Sequence, residues 1–582
     1  MPPINSYHHN HFSTICMVGG FHCICNSHCF YYQQQSSAVR AFDIVILTAK
    51  ILRRILVYGA KQYDENSPQL HYVKWCIAEV PVFVGILQQG GGGTPSGSNV
   101  KTKVERFSVL LMKTLSDFED NHCASILPVL HDMLQLCLQY VMAGRAGIEG
   151  ASGRVDDADK LVIYSGNLLR SLCRRFTKLK EPSPCTDLLL NTITAENLNV
   201  LAHHVVMHYF PLSRAELDEW SNDPEGFVNT EAGESHKFLL RPCMETLYVG
   251  LFYGFKQQMV AFALQLVKQT TGVNLSDLTT AGSGGGEDIL KVCAIFKAVG
   301  LAAYELFEEI DFDSWFSTTL LDLFRVESTP HAASRWHSIL QQHVMWMIGE
   351  WIDVKFSKAN RVQLYSLVSA ILAANGTDLV LKLTACKTLR IALDDFDFEV
   401  NNFACFVTGV FPSLCGLLVE VEECDTKMMV LNLISLTIQR YFHEKESVFY
   451  LYNTIFVCIS NYVVDGLLTP PPWNSIDSYS NSLEIPLIDT INREGVTDFI
   501  FFWNNPNILT NFLFHPNHRC GVRIHEHAEI LIQYLPQLWE ISQHHNLLRG
   551  AVVNVLNYLV QVYSLCFFMI FFLPVIFIFL LN

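Results

Sequence analysis

A helix pair that recurs at a fixed spacing constrains this chain more than any other feature. In RVQLYSLVSAILAANGTDLVLKLTACKTLRIAL (361–393), Leu364, Leu367, Ile371 and Leu372 fall on one helical face. Asn375-Gly376-Thr377 reads as a turn, and Asp378 is placed to cap a second helix carrying Leu381, Leu383, Ala385, Leu389 and Leu393. The next stretch repeats the plan. Phe403, Phe406, Val407, Val410, Leu414 and Leu417 make a first helix, Glu422-Glu423-Cys424 the turn, and Asp425 opens a second helix with Met428, Leu431, Leu433, Ile434, Leu436 and Ile438. The two caps lie 47 positions apart, inside the period of HEAT-type repeats, roughly 40–47 residues. A third pair comes late, HAEILIQYLPQLWEI and then HHNLLRGAVVNVLNYLVQ. Strand patterns are nearly absent. One such pair cannot bury its apolar face alone, whereas stacked pairs can. The expected fold class is therefore all-α, an α-solenoid of HEAT-like helical repeats forming an ARM-type superhelix. An ordinary helical bundle is the plainer alternative, and the repeat period weighs against it.

Length points the same way. A single core stops growing near roughly 250–300 residues, and this chain has 582, half of them hydrophobic and 16% charged. Lys and Arg total 40 against 56 Asp and Glu, a formal net charge of −16. That balance argues against nucleic acid, which needs a basic footprint, and suits basic protein partners. The 18 cysteines are scattered singly, as at Cys243, Cys293, Cys386, Cys405 and Cys415. In apolar-periodic helices they read as small buried side chains in a reducing compartment. The N-terminus lacks the basic start, apolar run and cleavage site of a secretory signal, so a cytosolic or nuclear setting is expected.

The expected organisation has five parts. Residues 1–40 are a non-repeat N-terminus, 41–442 HEAT-like repeats with flexible linkers near 88–99 and 279–287, and 443–526 an irregular insertion rich in Pro, Asn and aromatics. Residues 527–562 are a further helix pair, and 563–582 an apolar segment. Within the last, YSLCFFMIFFLPVIFIFLL (563–581) is long enough to span a bilayer, though no basic flank sets an orientation.

Motifs for chemistry are weak. His8, His9, His11, Cys16, His22, Cys23, Cys25, His28 and Cys29 lack zinc-finger spacing and a second ligand pair. In IHEHAEI (524–530), His525 and His527 are two apart and cannot share a zinc on one helix face. GSGGGED has neither the Lys nor the Ser/Thr of a phosphate loop, and no nucleophile elbow is present. No catalytic residue, metal or cofactor is expected, and the chain is read as a binding protein, not an enzyme.

One segment is recognisable. LSRAELDEWSNDPEGFVNTEAGESHKFLLRPCMETLY (212–248) carries Glu216, Trp220, Asp223, Pro224, Glu225, Gly226 and Phe227 in the order E-x3-W-x2-D-P-E-G-F. This resembles a signature of the importin-β (karyopherin-β) superfamily. AVGLAAYELF (298–307), DFDSWF (311–316), MIGEWIDVKF (347–356), LDDFDFEVNNF (393–403), VEECDTKM (421–428) and YLPQLWEISQHHNLLRGAV (534–552) are similar to the importin-eleven branch, in the right order. The resemblance covers about two-thirds of the chain. Residues 1–35, 447–524 and the extreme C-terminus have no counterpart, and translated non-coding sequence is the expected source. No match to the family's N-terminal Ran-contacting domain is found, and the family's later repeats are also missing.

What the resemblance implies is a nuclear transport receptor that binds protein cargo, the GTP form of Ran and nucleoporin Phe-Gly repeats, and shuttles between cytoplasm and nucleus. Import over export rests on resemblance alone. The rival is a helical-repeat scaffold, tail-anchored through 563–581. Trp220 and Phe227 are expected to anchor a long inter-helix segment onto a neighbouring repeat, with Asp223-Pro224 forcing the chain out of helix between them. In MIGEWIDVKF, Ile348, Trp351 and Ile352 share a face, while Glu350 and Asp353 lie off it. These residues and Trp539 are read as packing signatures. The acidic residues Asp394, Asp395, Asp397, Glu399, Glu420, Glu422 and Glu423 fall at helix ends. Their plain role is capping and solubility; the sharper one is attracting basic cargo.

Overall fold

The computed structural model describes residues 35–59, 67–89, 97–143, 157–177, 183–230, 235–270, 285–325, 335–443, 534–542 and 545–556. Among them there is no strand. The His/Cys-rich start, the 443–526 insertion beyond residue 443 with its IHEHAEI string, and the 563–581 run lie outside the described residues. So does most of each expected linker. Among the described residues no helix is long and apolar enough to cross a membrane, and no group of three or more metal-ligating side chains occurs.

Chain contacts define two compact units. The first comprises Met1–Glu219 with Thr230–Ile310; the second comprises Trp220–Asn229 with Asp311–Asn582. In the first, α1 (Gln35–Leu52), α2 (Pro68–Gln89), α3 (Gly97–His122), α4 (Leu127–Ala143) and α5 (Asp157–Thr177) succeed one another, followed by α6 (Pro184–Thr192) and α7 (Ala195–His204). Next come α8 (Arg214–Asn222), α10 (Leu240–Thr270) and α11 (Gly285–Leu301); α9 (Pro224–Thr230), between α8 and α10 in the chain, belongs to the second unit through Asn229. Helix α10 breaks at Phe255, where φ −135° and ψ 37° leave the helical region. In this unit α2 packs on α3, α3 on α5, α5 on α10 and α10 on α11. Phe83 meets Phe107 edge to face at 4.9 Å in this core, and Glu119 takes hydrogen bonds from Ser171 at 2.9 Å and Arg175 at 2.5 Å.

In the second unit, α12 (Arg335–Ile352) precedes the two pairs read from the sequence, α13 (Lys358–Ala373) with α14 (Leu379–Asp394) and α15 (Val407–Glu420) with α16 (Cys424–His443). The turn after α13 depends on Gly376, whose φ of +83° suits a residue without Cβ. Asp378 caps α14, its Oδ1 accepting from Val380 N at 2.9 Å and Leu381 N at 3.4 Å. The start of α16 differs from expectation. The helix begins at Cys424, with Lys427 N bonded to the Glu423 carbonyl at 2.9 Å. Asp425 therefore sits in the first turn and Glu423 holds the cap position.

First helices pack on first helices and second on second: α12 on α14, α13 on α15, α14 on α16. The polar contacts share that stagger. Gln342 meets Thr384 and Thr388 meets Met345 at separations of 42 and 43 positions, while Lys382–Glu420, Lys358–Glu399 and Arg440–Asp394 span 38, 41 and 46. Contacts at one repeat length are what stacked equivalent units produce. The late pair, residues 534–541 and 546–556, continues this: Lys427 lies 6.0 Å from the Tyr534 ring and His545 3.4 Å from Asp425. Of the cysteines expected to be buried, Cys243, Cys293, Cys386 and Cys415 are, whereas Cys405 is exposed. Burial pushes the thiols of Cys173, Cys243, Cys386 and Cys415 up to about 12, leaving negligible thiolate at neutral pH.

Candidate functional site

Glu216 forms a capping box at the start of α8. Ser213 N and Oγ donate to its Oε2 at 2.7 and 2.6 Å, and Glu216 N donates to Ser213 Oγ at 3.3 Å. Its other oxygen accepts from Arg241 Nε at 2.8 Å. Buried Arg241 also reaches Glu245 at 3.0 Å, and Glu245 reaches Lys297 at 3.6 Å. Burial acts to raise the Glu216 pKa, but the Arg241 charge and the Ser213 hydrogen bonds outweigh it and hold the carboxyl below its ordinary range.

Beyond Glu219 the chain enters the second unit for ten residues. Each letter of the signature has a physical role there. Asp223 caps the short helix α9, its Oδ1 accepting from Gly226 N at 2.9 Å, and Pro224 occupies the first helical position, where no N–H is needed. Gly226 leaves room for that cap: a Cβ there would fall 2.2 Å from Asp223 Oδ2. Trp220, 3% exposed, packs against Phe227 with ring centroids 5.1 Å apart. Its Nε1 donates to Asp378 Oδ2 at 3.0 Å, so one carboxylate caps α14 and receives the indole.

Glu225 does the corresponding work at α16. Its buried carboxylate accepts from Glu422 N at 2.7 Å and Glu423 N at 2.9 Å, amides that the helix start leaves without helical partners. Asn229 Nδ2 donates to Glu423 Oε2 at 2.7 Å and Thr426 Oγ1 at 3.1 Å. Lys387 Nζ donates to the Val228 carbonyl at 3.0 Å. Thus Trp220–Asn229 forms a strap across the N-termini of two successive second helices. Asp378 entered the sequence reading only as a cap, and Gly226 only as a letter of the signature. Asn229 and Lys387 carried no signal, because their partners are remote in sequence.

The acidic residues separate into two groups. Asp395 pairs with Arg361, both largely buried. Asp394 pairs with Arg440 at 3.3 Å, Glu420 with Lys382 at 3.0 Å, and Glu399 with Lys358 while accepting from Asn402 at 2.8 Å. Lys358 and its hydrogen bond hold the Glu399 carboxyl below its usual range. Asp397 and Glu422 are exposed. Phe396, between Asp395 and Asp397, is 99% exposed. Asp353 faces this edge; burial, then the charges of Asp395 and Asp394, raise its pKa.

Trp351 is fully buried and stacks on Phe312 at 4.5 Å, with Ile348 and Ile352 buried on the same face and Glu350 and Asp353 outside. Trp539 is half-buried, with the Arg549 guanidinium 4.9 Å from its ring.

No family model matches the chain. Among curated proteins it is 26% identical over 538 residues to importin-11 of Mus musculus, covering 90% of this chain and 44% of that protein. The figures for importin-11 of Homo sapiens are the same. The importin beta-like protein KAP120 of Saccharomyces cerevisiae is 28% identical over 256 residues, 43% of this chain and 24% of that one. The chain thus spans less than half the length of the curated relatives it matches. Among solved structures, Lph2, a bidirectional nuclear transport receptor of S. cerevisiae, superposes with a TM-score of 0.60 at 20% identity, covering 93% of this chain and 50% of that one. That likeness shows the fold, an all-α array of HEAT-like repeats.

Proposed function

We propose that this chain, which belongs to the importin-β superfamily, acts as a nuclear transport receptor that binds protein cargo and the GTP form of Ran, and shuttles between cytoplasm and nucleus. The observation that carries this reading is the alignment with importin-11 along 90% of the chain, on a fold built of the same kind of helical repeat. Cargo and GTP-bound Ran oppose each other through linkage: each lowers the affinity for the other, so Ran discharges import cargo. Hydrolysis belongs to Ran, and this chain supplies binding energy only. Apolar slots between outer helices would take the phenyl rings of nucleoporin Phe-Gly repeats.

Basic cargo is the chemistry the charge favours. The net charge is −16, and Asp394, Asp397, Glu399, Glu420, Glu422 and Glu423 all keep solvent access along the helix ends. Exposed ion pairs such as Lys358–Glu399 are screened by water and contribute little, so a basic segment can exchange into them. Asp395 is committed to buried Arg361 and belongs to the framework.

The test is capture of the purified chain on immobilised Ran, GTP-locked against GDP-bound. GTP-selective retention, reversed by basic cargo peptide, is expected. Equal retention on both forms, or none on either, overturns the Ran assignment.

A further inference from the structure

The turn that follows α14 is pinned on both sides and holds one ring out in water. Asp395 points inward to the buried Arg361. Its carbonyl accepts from Phe398 N at 3.3 Å, and its Oδ1 from Asp397 N at 3.4 Å. Phe398 also points inward, with its ring centroid 6.1 Å from that of Phe403. Phe396, between these anchors, is 99% exposed. A lone exposed apolar side chain is ordinary on a surface. A ring held on a fixed turn pays little entropy to bind, and its neighbours say what it would bind.

The inner side of the same turn already holds an arginine. The Arg440 guanidinium lies 5.9 Å from the Phe398 ring and donates to Asp394 Oδ1 at 3.3 Å. One phenyl group and one carboxylate suffice there. On the outer side Phe396 and Asp397 offer the same two groups, both exposed. The cations of this edge are paired elsewhere: Arg361 with Asp395, and Lys358 with Glu399. Lys358 feels Asp397 as well, but its hydrogen bond goes to Glu399. Negative charge is in excess, since burial and then Asp395 and Asp394 raise the Asp353 pKa, which Arg361 does not offset.

We propose that Phe396 is a stacking platform for an arginine side chain of a bound protein segment, with Asp397 as the carboxylate partner. The inference rests on the basic-cargo reading above and narrows it to arginine. A planar, weakly hydrated guanidinium can lie on a ring while its edge meets a carboxylate; a compact, strongly hydrated ammonium does so less well.

The probe is fluorescent hexa-arginine, with hexa-lysine of equal charge as control, titrated at low salt onto the full chain. The arginine peptide should bind more tightly. Phe396→Ala should weaken it about two- to five-fold, leave hexa-lysine unchanged and leave Tm unchanged, since the ring touches no core. Phe396→Leu should behave as Phe396→Ala, and Phe396→Tyr as the parent. Asp397→Asn should weaken both peptides, and added salt should erase that effect. Equal affinity for the two peptides, or an arginine preference that survives Phe396→Ala, overturns the platform and leaves the basic-cargo reading standing. Binding of neither peptide overturns both.

Discussion

Trp220 and Asp378 stand 158 positions apart in the chain and meet at 3.0 Å, indole nitrogen to carboxylate. The same carboxylate caps α14 through its other oxygen. A hydrogen bond to a charged group contributes about 1.5–3 kcal/mol, while Trp220 also fills space against Phe227. Trp220→Phe should therefore weaken the first turn of α14 by about 1–2 kcal/mol, and Trp220→Ala should cost about 3–5 kcal/mol. Hydrogen exchange across residues 378–384 measures the difference. No cost for Trp220→Phe would mean that the hydrogen bond contributes nothing.

Glu225 is the remote cap of α16, so its loss should be felt 197 positions away. Glu225→Ala should destabilise the start of α16 by about 1 kcal/mol and leave α12 and α13 unchanged. Exchange protection at Glu422 and Glu423 is the readout; protection unchanged from the parent chain would show that the carboxylate is not the cap.

Gly226 and Asp223 form a testable pair. Gly226→Ala should displace the Asp223 carboxylate and cost about the worth of a cap, roughly 1 kcal/mol. In an Asp223→Ala background the same change should cost almost nothing, since the group it displaces is gone. A double-mutant cycle on thermal unfolding reads the coupling; additive costs would remove it.

The Glu216 network carries a pH signature. Its folded pKa lies below the ordinary carboxylate value, about 4.3 in model peptides. The stabilisation is therefore present above that value and is lost as pH falls through the folded pKa. Glu216→Gln should lower Tm near neutral pH, and the gap to the parent chain should close as the solution is acidified below about pH 4. A constant gap would assign the loss to packing.

Charge changes along the acidic edge should divide in the same way as the contacts. Asp395→Asn leaves the buried Arg361 guanidinium uncompensated and should cost about 3–5 kcal/mol. Asp397→Asn with Glu422→Gln should leave unfolding unchanged and weaken capture of a basic peptide at low salt. Unaltered capture would end the cargo role of those two side chains.

The local grammar of the repeats was legible in the sequence. Gly376 as a turn residue, Asp378 as a cap and the buried face of Ile348, Trp351 and Ile352 all follow from spacing within a dozen residues. Partnerships at one repeat length were not. Arg361–Asp395 and Arg440–Asp394 depend on how stacked units register, which no short window encodes. The strap was half legible: Trp220 and Phe227 announced an anchor, but nothing local names α14 and α16 as its seat. The start of α16 was missed by two residues because Asp425 mimics a cap while the real cap interactions arrive from Glu225.

The strap also sets a clock on synthesis. Translation delivers Trp220 and Phe227 well before Asp378 and Glu423 exist. At about 5–20 residues per second the wait is roughly 10–40 s. Throughout that interval two large aromatic side chains have no resting place, so the unfinished chain on the ribosome is the form that most needs a chaperone.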